Sequence, residues 1–173
     1  EGVRAGERFA QRTNSDKIKV HLHQIAEKIP THAVIFDVST DKGIKSGNQT
    51  LTEIMYRLFL ASLGYPRDLD LAELEIGLEI DGRLEDFKEA FEKVTNGKQW
   101  DERKAFVAFA LSEASAAMHA IEPEIYEAKN SWADAHSGKA DISPNLLGRR
   151  INELTDRRKP GHSVLFVVDE VGQ

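Results

Sequence analysis

Residues 164–173, VLFVVDEVGQ, form the stretch that decides the fold. An unbroken apolar run rich in β-branched residues is typical of a strand buried in a parallel sheet. The run is followed at once by two carboxylates, Asp169 and Glu170. The stretch therefore predicts a buried strand that presents an Asp-Glu pair at its carboxyl-terminal tip.

A second strand is predicted at residues 33–38, AVIFDV, another short apolar run. Its composition is that of a strand buried on both faces, and the loop after it is expected to extend to residue 48. Two apolar strands separated by helices favour a parallel pair with helical cover. Two strands make a poor sheet alone, so we expect the pair to belong to a larger parent sheet.

Most of the remaining sequence has helical periodicity. Ser15 and Asp16 predict a helix start, and Pro30 the end of that helix. Other helices are predicted over residues 49–64, 84–95, 103–121 and 144–158, with a short candidate after Pro123 and a loop over 131–142. Phe106 and Phe109 are expected to widen the buried face of the helix at 103–121.

Residues 68–81 are ambiguous between helix and strand. Their apolar and polar residues alternate from Leu74 to Asp81, as in a half-exposed strand. Asp68 and Asp70 are possible caps, and the segment 72–75 has good helix formers. We favour a helix.

These elements give four predicted regions and a mostly α chain of α/β parentage. Residues 1–14 are expected to be a flexible arm, and 15–48 a helix followed by a core strand. Residues 49–142 are predicted to be a helical insertion between the strands. Residues 143–173 would then supply a helix and the strand that ends at Asp169.

Composition restricts the functional classes. The 173 residues have a net charge of −6, which argues against a freestanding nucleic-acid-binding module. The chain has no cysteine, which excludes disulfides and thiolate metal sites and is compatible with a cytoplasmic location. No apolar run has the length of a membrane span, so no membrane partner is expected.

The Asp-Glu pair predicts a specific chemistry. In P-loop nucleotide hydrolases, a carboxylate at a strand tip holds the Mg²⁺ shell and a neighbouring one activates the attacking water. Asp169 is thus the candidate metal residue and Glu170 the candidate general base. The alternative is an ordinary solvated strand end.

The phosphate-binding loop that such an enzyme needs, G-x-x-x-x-G-K-[ST], does not occur in the sequence. Lys45 and Ser46 resemble its end, but Ser39 and Ile44 occupy the two glycine positions. The loop is therefore expected upstream of Glu1, and the chain alone should neither bind nucleotide tightly nor hydrolyse it.

Three segments resemble the BrxC/PglY family, large P-loop ATPases of bacterial BREX phage-defence systems. They are LGRRINEL at 147–154 with the following Pro160-Gly161-His162, the terminal VLFVVDEVGQ, and AVIFDVST at 33–40 before an Asn-Gln-Thr helix start. The resemblance implies that Asp169 and Glu170 are Walker B carboxylates in a much longer parent. It also implies that the parent binds ATP and Mg²⁺ and forms a homo-oligomer. Its other partners would be further defence proteins and DNA.

Other interpretations remain open at this level. The chain has the acidic balance and helical content of a protein-interaction module without chemistry, and a DNA-binding insert would require a basic face. The pairs Arg149/Arg150 and Arg157/Arg158 fit an arginine finger or a phosphate contact, or else a solvated basic helix end. Asp37, Ser39 and Thr40 would lie at the second strand tip.

Overall fold

The computed structural model describes residues 5–37, 48–140 and 142–169. They form mostly helices, with one pair of strands, as predicted. In chain order the elements are α1 (Ala5–Arg12), α2 (Asp16–Lys28), β1 (Thr31–Asp37), α3 (Asn48–Ser62), α4 (Leu69–Ile80), α5 (Leu84–Val94), α6 (Trp100–Arg103), α7 (Val107–Ile121), α8 (Ser131–His136), α9 (Pro144–Arg158) and β2 (Ser163–Asp169).

The chain divides into two compact units. Unit 1 combines residues 1–42 with 145–173 and therefore contains both strands with α1, α2 and nearly all of α9. Unit 2 is the continuous segment 43–144, which is helical throughout its regular elements. The predicted insertion, residues 49–142, lies inside unit 2.

Unit 2 has an aromatic core. The rings of Phe87 and Phe91 on α5 both meet the indole of Trp100 edge to face, with centroids 5.1 and 5.2 Å apart. All three side chains are buried, and the alanine-rich face of α7 packs against α5. The small residues on α7 leave room for the large rings of α5. The two helices can therefore pack closely.

The ambiguous segment 68–81 is a helix, as predicted. The Asp68 carboxylate caps α4 by accepting a hydrogen bond from the Leu71 amide at 3.1 Å. The alternating sequence pattern does not indicate a strand here, because α4 is buried around much of its circumference. Its buried residues include Leu71, Leu74 and Leu78. A helix buried on several sides does not show a clear one-sided pattern.

Unit 1 contains a two-stranded parallel sheet, which confirms the predicted pairing. The register aligns Thr31 with Ser163 and ends with Asp37 opposite Asp169. Gly161, at φ +75°, lets the chain turn from α9 into β2, a conformation that suits glycine.

Only one face of this sheet is covered by described residues. Val34 and Phe36 are buried on that face, whereas Ile35 is 72% exposed on the other. Its Cα partner Val167 is 43% exposed, and Leu165 next to it is 51% exposed. The expectation that both faces of the strand are buried is therefore not met within the described chain.

Several local predictions were wrong. Residues 5–12 form α1 where an arm without regular structure was expected, and residues 131–136 form α8 inside a predicted loop. The residues after Pro123 form turns instead of a helix. Phe106 and Phe109 are exposed, because α7 begins only at Val107 and directs its alanine face towards the core.

No helix in the described ranges is both long enough and apolar enough to cross a membrane.

Candidate functional site

The predicted site lies at the carboxyl edge of the β1–β2 pair. Because the strands are parallel, both of their carboxyl ends reach the same edge, and the register makes Asp37 and Asp169 Cα partners there. In open parallel sheets this edge is where ligands commonly bind. Asp37 and Asp169 thus lie at the same edge of the sheet, although they are 132 positions apart in the sequence.

The structure describes only part of the predicted residue set. Asp169, the candidate metal residue, is the last residue of β2. Glu170, the candidate base, lies outside the described residues, as do Ser39 and Thr40 at the other strand tip. The incomplete phosphate-loop pattern ending at Lys45-Ser46 lies outside them as well.

Basic residues lie near the amino ends of the strands. Burial lowers the pKa of His32 on β1, and the nearby charges of Lys159 and His162 lower it further. Basic groups therefore cluster at one end of the pair while Asp37 and Asp169 occupy the other. Asp37 and Asp169 are of the residue type whose carboxylate oxygens Mg²⁺ prefers.

The four arginines of α9 have different environments. Arg150 pairs with Glu153 through Nη1 at 3.1 Å, a one-turn pair on the helix. Arg149 and Arg157 are exposed, while Arg158 is half-buried. Arg157 and Arg158 occupy the last turn, where cations favour the helix dipole. These contacts fit a basic helix end and leave the finger and DNA roles as predictions.

Unit 2 contains a cavity that the sequence did not indicate. Its volume is about 530 Å³, and residues of α4, α7 and α8 line it together with the turns that connect them. Arg83 and Glu122 form an ion pair on its wall, and this hydrogen bond raises the pKa of Arg83. Burial raises the pKa of the Tyr126 hydroxyl in the same wall, and Glu122 acts in the same direction. The lining residues lie on separate elements, so no linear motif could have revealed them.

A buried carboxylate, Glu75, forms a second polar feature of unit 2. It is 1% exposed and accepts hydrogen bonds from Trp100 Nε1 at 2.8 Å and from Lys104 Nζ at 3.1 Å. Lys104 also donates to the Gly64 carbonyl at 2.7 Å and contacts Asp101 at 2.9 Å. The ammonium thus links α4, α6 and the turn after α3, which is a structural role for a buried ion pair.

Two exposed aromatic rings on unit 2, those of Phe106 and Phe109, contact an arginine. The Arg103 guanidinium lies 4.5 Å from the Phe109 ring centroid and 5.9 Å from that of Phe106. Glu113 holds it through two hydrogen bonds, of 2.6 and 3.0 Å. The hydrogen bond from Arg103 lowers the pKa of Glu113, with a further contribution from Lys98.

No protein-family model matches the sequence, and no solved structure matches the chain at a significant level.

Proposed function

We propose that β1 and β2 belong to the nucleotide-hydrolysing core of a larger P-loop ATPase, in which β2 is the Walker B strand. One observation carries the proposal: the in-register parallel pair that brings Asp37 and Asp169 to a common carboxyl edge. A rigid strand positions a catalytic carboxylate better than a loop does, and rigid positioning is what phosphoryl transfer requires.

In this proposal, Asp169 serves the Mg²⁺ shell and Glu170 orients and deprotonates the attacking water. Carboxylate oxygens are suitable Mg²⁺ ligands, so the residue types at this edge fit the metal. Bound Mg²⁺ would neutralise negative charge on the phosphates of ATP. The parent would supply the phosphate-binding loop from another segment, and the present chain alone is expected to be inactive.

The uncovered sheet face supports a larger parent. Parallel sheets are generally covered on both faces, yet Ile35, Leu165 and Val167 are exposed and apolar. Such a face is unfavourable in water. Further elements of the parent would remove it from solvent.

The resemblance to BrxC/PglY adds the biological context of the proposal. On its basis we propose that the parent works in a cytoplasmic BREX-type phage-defence system, as a homo-oligomer, with other defence proteins and on or near DNA.

A helical interaction module is the second candidate. The buried core of unit 2, built on Phe87, Phe91 and Trp100, favours it because a body with its own core can present a surface without taking part in chemistry. In this alternative Asp169 and Glu170 are surface charges only.

Mg²⁺-dependent ATP hydrolysis by the full-length parent separates the two candidates. We expect Glu170→Gln to reduce the rate by about 100-fold or more, the range for loss of a general base. Glu92→Gln, the same substitution at an exposed position of α5, is the matched control and should leave the rate unchanged. Equal rates in the Glu170→Gln variant and wild type would contradict the catalytic assignment. Absence of hydrolysis in every protein would favour the interaction module.

A further inference from the structure

The dipeptide Asn96-Gly97 directly follows Thr95, the C-cap residue of α5. Asparagine before glycine is the sequence most prone to spontaneous deamidation, because a residue without a side chain does not obstruct the reaction at its own backbone nitrogen. Both residues of the dipeptide are exposed to water, which the reaction consumes. The dipeptide is therefore a candidate modification site.

The reaction joins two groups that are neighbours in the chain. After loss of its proton, the backbone nitrogen of Gly97 attacks the side-chain carbonyl carbon, Cγ, of Asn96, and the side-chain nitrogen leaves as ammonia. The product is a five-membered succinimide ring. Water then opens either carbonyl–nitrogen bond of the ring and yields aspartate or isoaspartate at position 96. The net reaction consumes one water and releases one ammonia, without any oxidant or reductant.

The folded chain holds the attacking nitrogen in a helix cap. The Gly97 amide donates a hydrogen bond to the Glu92 carbonyl at 2.8 Å, which is the bond that closes a Schellman motif. Asn96 takes the left-handed backbone conformation that this motif requires, with φ +58°. Attack on Asn96 requires the Gly97 nitrogen to give up both this hydrogen bond and its proton. The closed cap therefore opposes the reaction.

Thr95 fixes the cap to the interior of unit 2. It is 7% exposed, and its hydroxyl donates a hydrogen bond to the Phe91 carbonyl at 2.6 Å. The same hydroxyl oxygen lies 3.3 Å from the carbonyl oxygen of Lys98, on the far side of the dipeptide. The Phe91 ring in turn packs against Trp100 in the core. Opening of the cap thus requires local unfolding of the last turn of α5.

From these features we propose that Asn96 is a deamidation site controlled by the C-cap of α5. The site is protected while the cap is closed and reacts when the last turn of α5 opens. Isoaspartate adds a carbon to the main chain, and aspartate places a negative charge at the helix C-terminus, where the dipole disfavours it. Either product weakens the cap and lowers the stability of unit 2. The inference is independent of the nucleotide site in unit 1, because every residue it uses belongs to unit 2.

Mass spectrometry of the 173-residue chain, aged at mildly alkaline pH with and without guanidinium chloride, tests the proposal. Trypsin cleaves after Lys93 and Lys98, so Asn96 is recovered in the peptide VTNGK. In guanidinium chloride, this peptide should acquire the mass of the acid faster than the peptide that contains Asn130, which precedes a bulkier serine. In the folded chain, conversion of Asn96 should be slower by about tenfold or more. Equal rates at Asn96 in the folded and unfolded chain, or faster conversion of Asn130 in the unfolded chain, would overturn the proposal.

Two substitutions test the control by the cap. Thr95→Val removes the hydroxyl at nearly constant shape and should raise the rate in the folded chain about threefold or more, while the rate in guanidinium chloride stays unchanged. Ser112→Ala removes a comparable hydroxyl-to-carbonyl hydrogen bond from α7 and, as the matched control, should change neither rate. A folded Thr95→Val variant that reacts at the wild-type rate would overturn the control by the cap. If this variant does not fold, the comparison of folded and unfolded wild type decides.

A third variant measures the consequence for stability. Asn96→Gly removes the reactive amide, and glycine suits the left-handed backbone at this position. The melting temperature of aged wild type should fall in proportion to its conversion, whereas that of aged Asn96→Gly should stay constant. An unchanged melting temperature of fully converted wild type would overturn the effect on unit 2.

Discussion

The two units bury their apolar residues to very different extents. In unit 2, Phe59, Leu71, Phe87 and Phe91 have no exposed surface. In unit 1, α2 has no buried residue, although Ile18 and Ile25 follow the spacing of an apolar helix face. Both units contain apolar patterns that require burial. The helices α4, α5 and α7 of unit 2 bury most of theirs, whereas α2 and one face of the β1–β2 pair leave theirs exposed within the described chain. From this difference we expect unit 2 to be the more stable of the two and unit 1 to gain stability if further elements cover its exposed face.

The largest expected effect is a core truncation in unit 2. Phe91→Ala should lower the free energy of unfolding by about 3–5 kcal/mol, because it leaves a cavity against Trp100 and Phe87. Ile25→Ala on exposed α2 should change it by less than about 1 kcal/mol. Urea unfolding followed by far-UV circular dichroism measures both. Tryptophan fluorescence reports on unit 2 alone, since the chain's two tryptophans, 100 and 132, lie there. Equal losses in the two variants would remove the distinction between the units.

A somewhat smaller loss is expected when the buried ion pair is broken. Lys104→Ala leaves Glu75 without its ammonium partner and should destabilise the protein by about 3 kcal/mol. Adding Glu75→Gln should recover part of this loss, because the amide is neutral and still offers an acceptor to Trp100 Nε1. Lys93→Ala, at an exposed position of α5, is the control and should cost less than about 0.5 kcal/mol. Absence of recovery in the double variant would show that charge burial is not the cause.

The smallest effect concerns acid stability. The hydrogen bond from Arg103 holds the pKa of Glu113 below its ordinary value of 4.5. A carboxyl group whose pKa is lowered by folding stabilises the protein fully above its unfolded pKa, and this contribution is lost as pH falls through the folded pKa. Glu113→Gln should therefore reduce stability near neutral pH and make the decline below about pH 4.5 less steep. Chemical unfolding at pH 7 and pH 3 measures how much stability each protein loses on acidification. An equal loss in Glu113→Gln and wild type would contradict the assignment.

The sequence predicted the fold best where a local physical signal was unambiguous. The Asp68 cap identified α4 despite its alternation, and the two apolar runs predicted a parallel pair before any contact was known. The prediction failed where tertiary context decides. α8 is stabilised through Trp132, which packs in the core, and the hydroxyl of Ser115 on α7 accepts a hydrogen bond from the Ala133 amide at 3.0 Å. Neither contact is visible in a linear pattern.

Prediction of the candidate sites was limited in the same way, by contacts between residues that are distant in sequence. The place of Asp169 at the end of a strand could be predicted, because the apolar run and the acid are adjacent in sequence. Its pairing with Asp37 required only the parallel register. The cavity of unit 2 could not be predicted, because its residues come from three helices and from the three segments that follow them.

Amide hydrogen exchange, measured on the 173-residue chain and on the proposed longer parent, tests the contrast between the units most directly. We predict that core amides of α4, α5 and α7 exchange slowly in both samples, since unit 2 supplies its own core. Amides of β1 and β2 should exchange rapidly in the 173-residue chain and slowly in the parent, where the exposed face around Ile35 would be covered. Equal, strong protection of β1 and β2 in both samples would contradict the account.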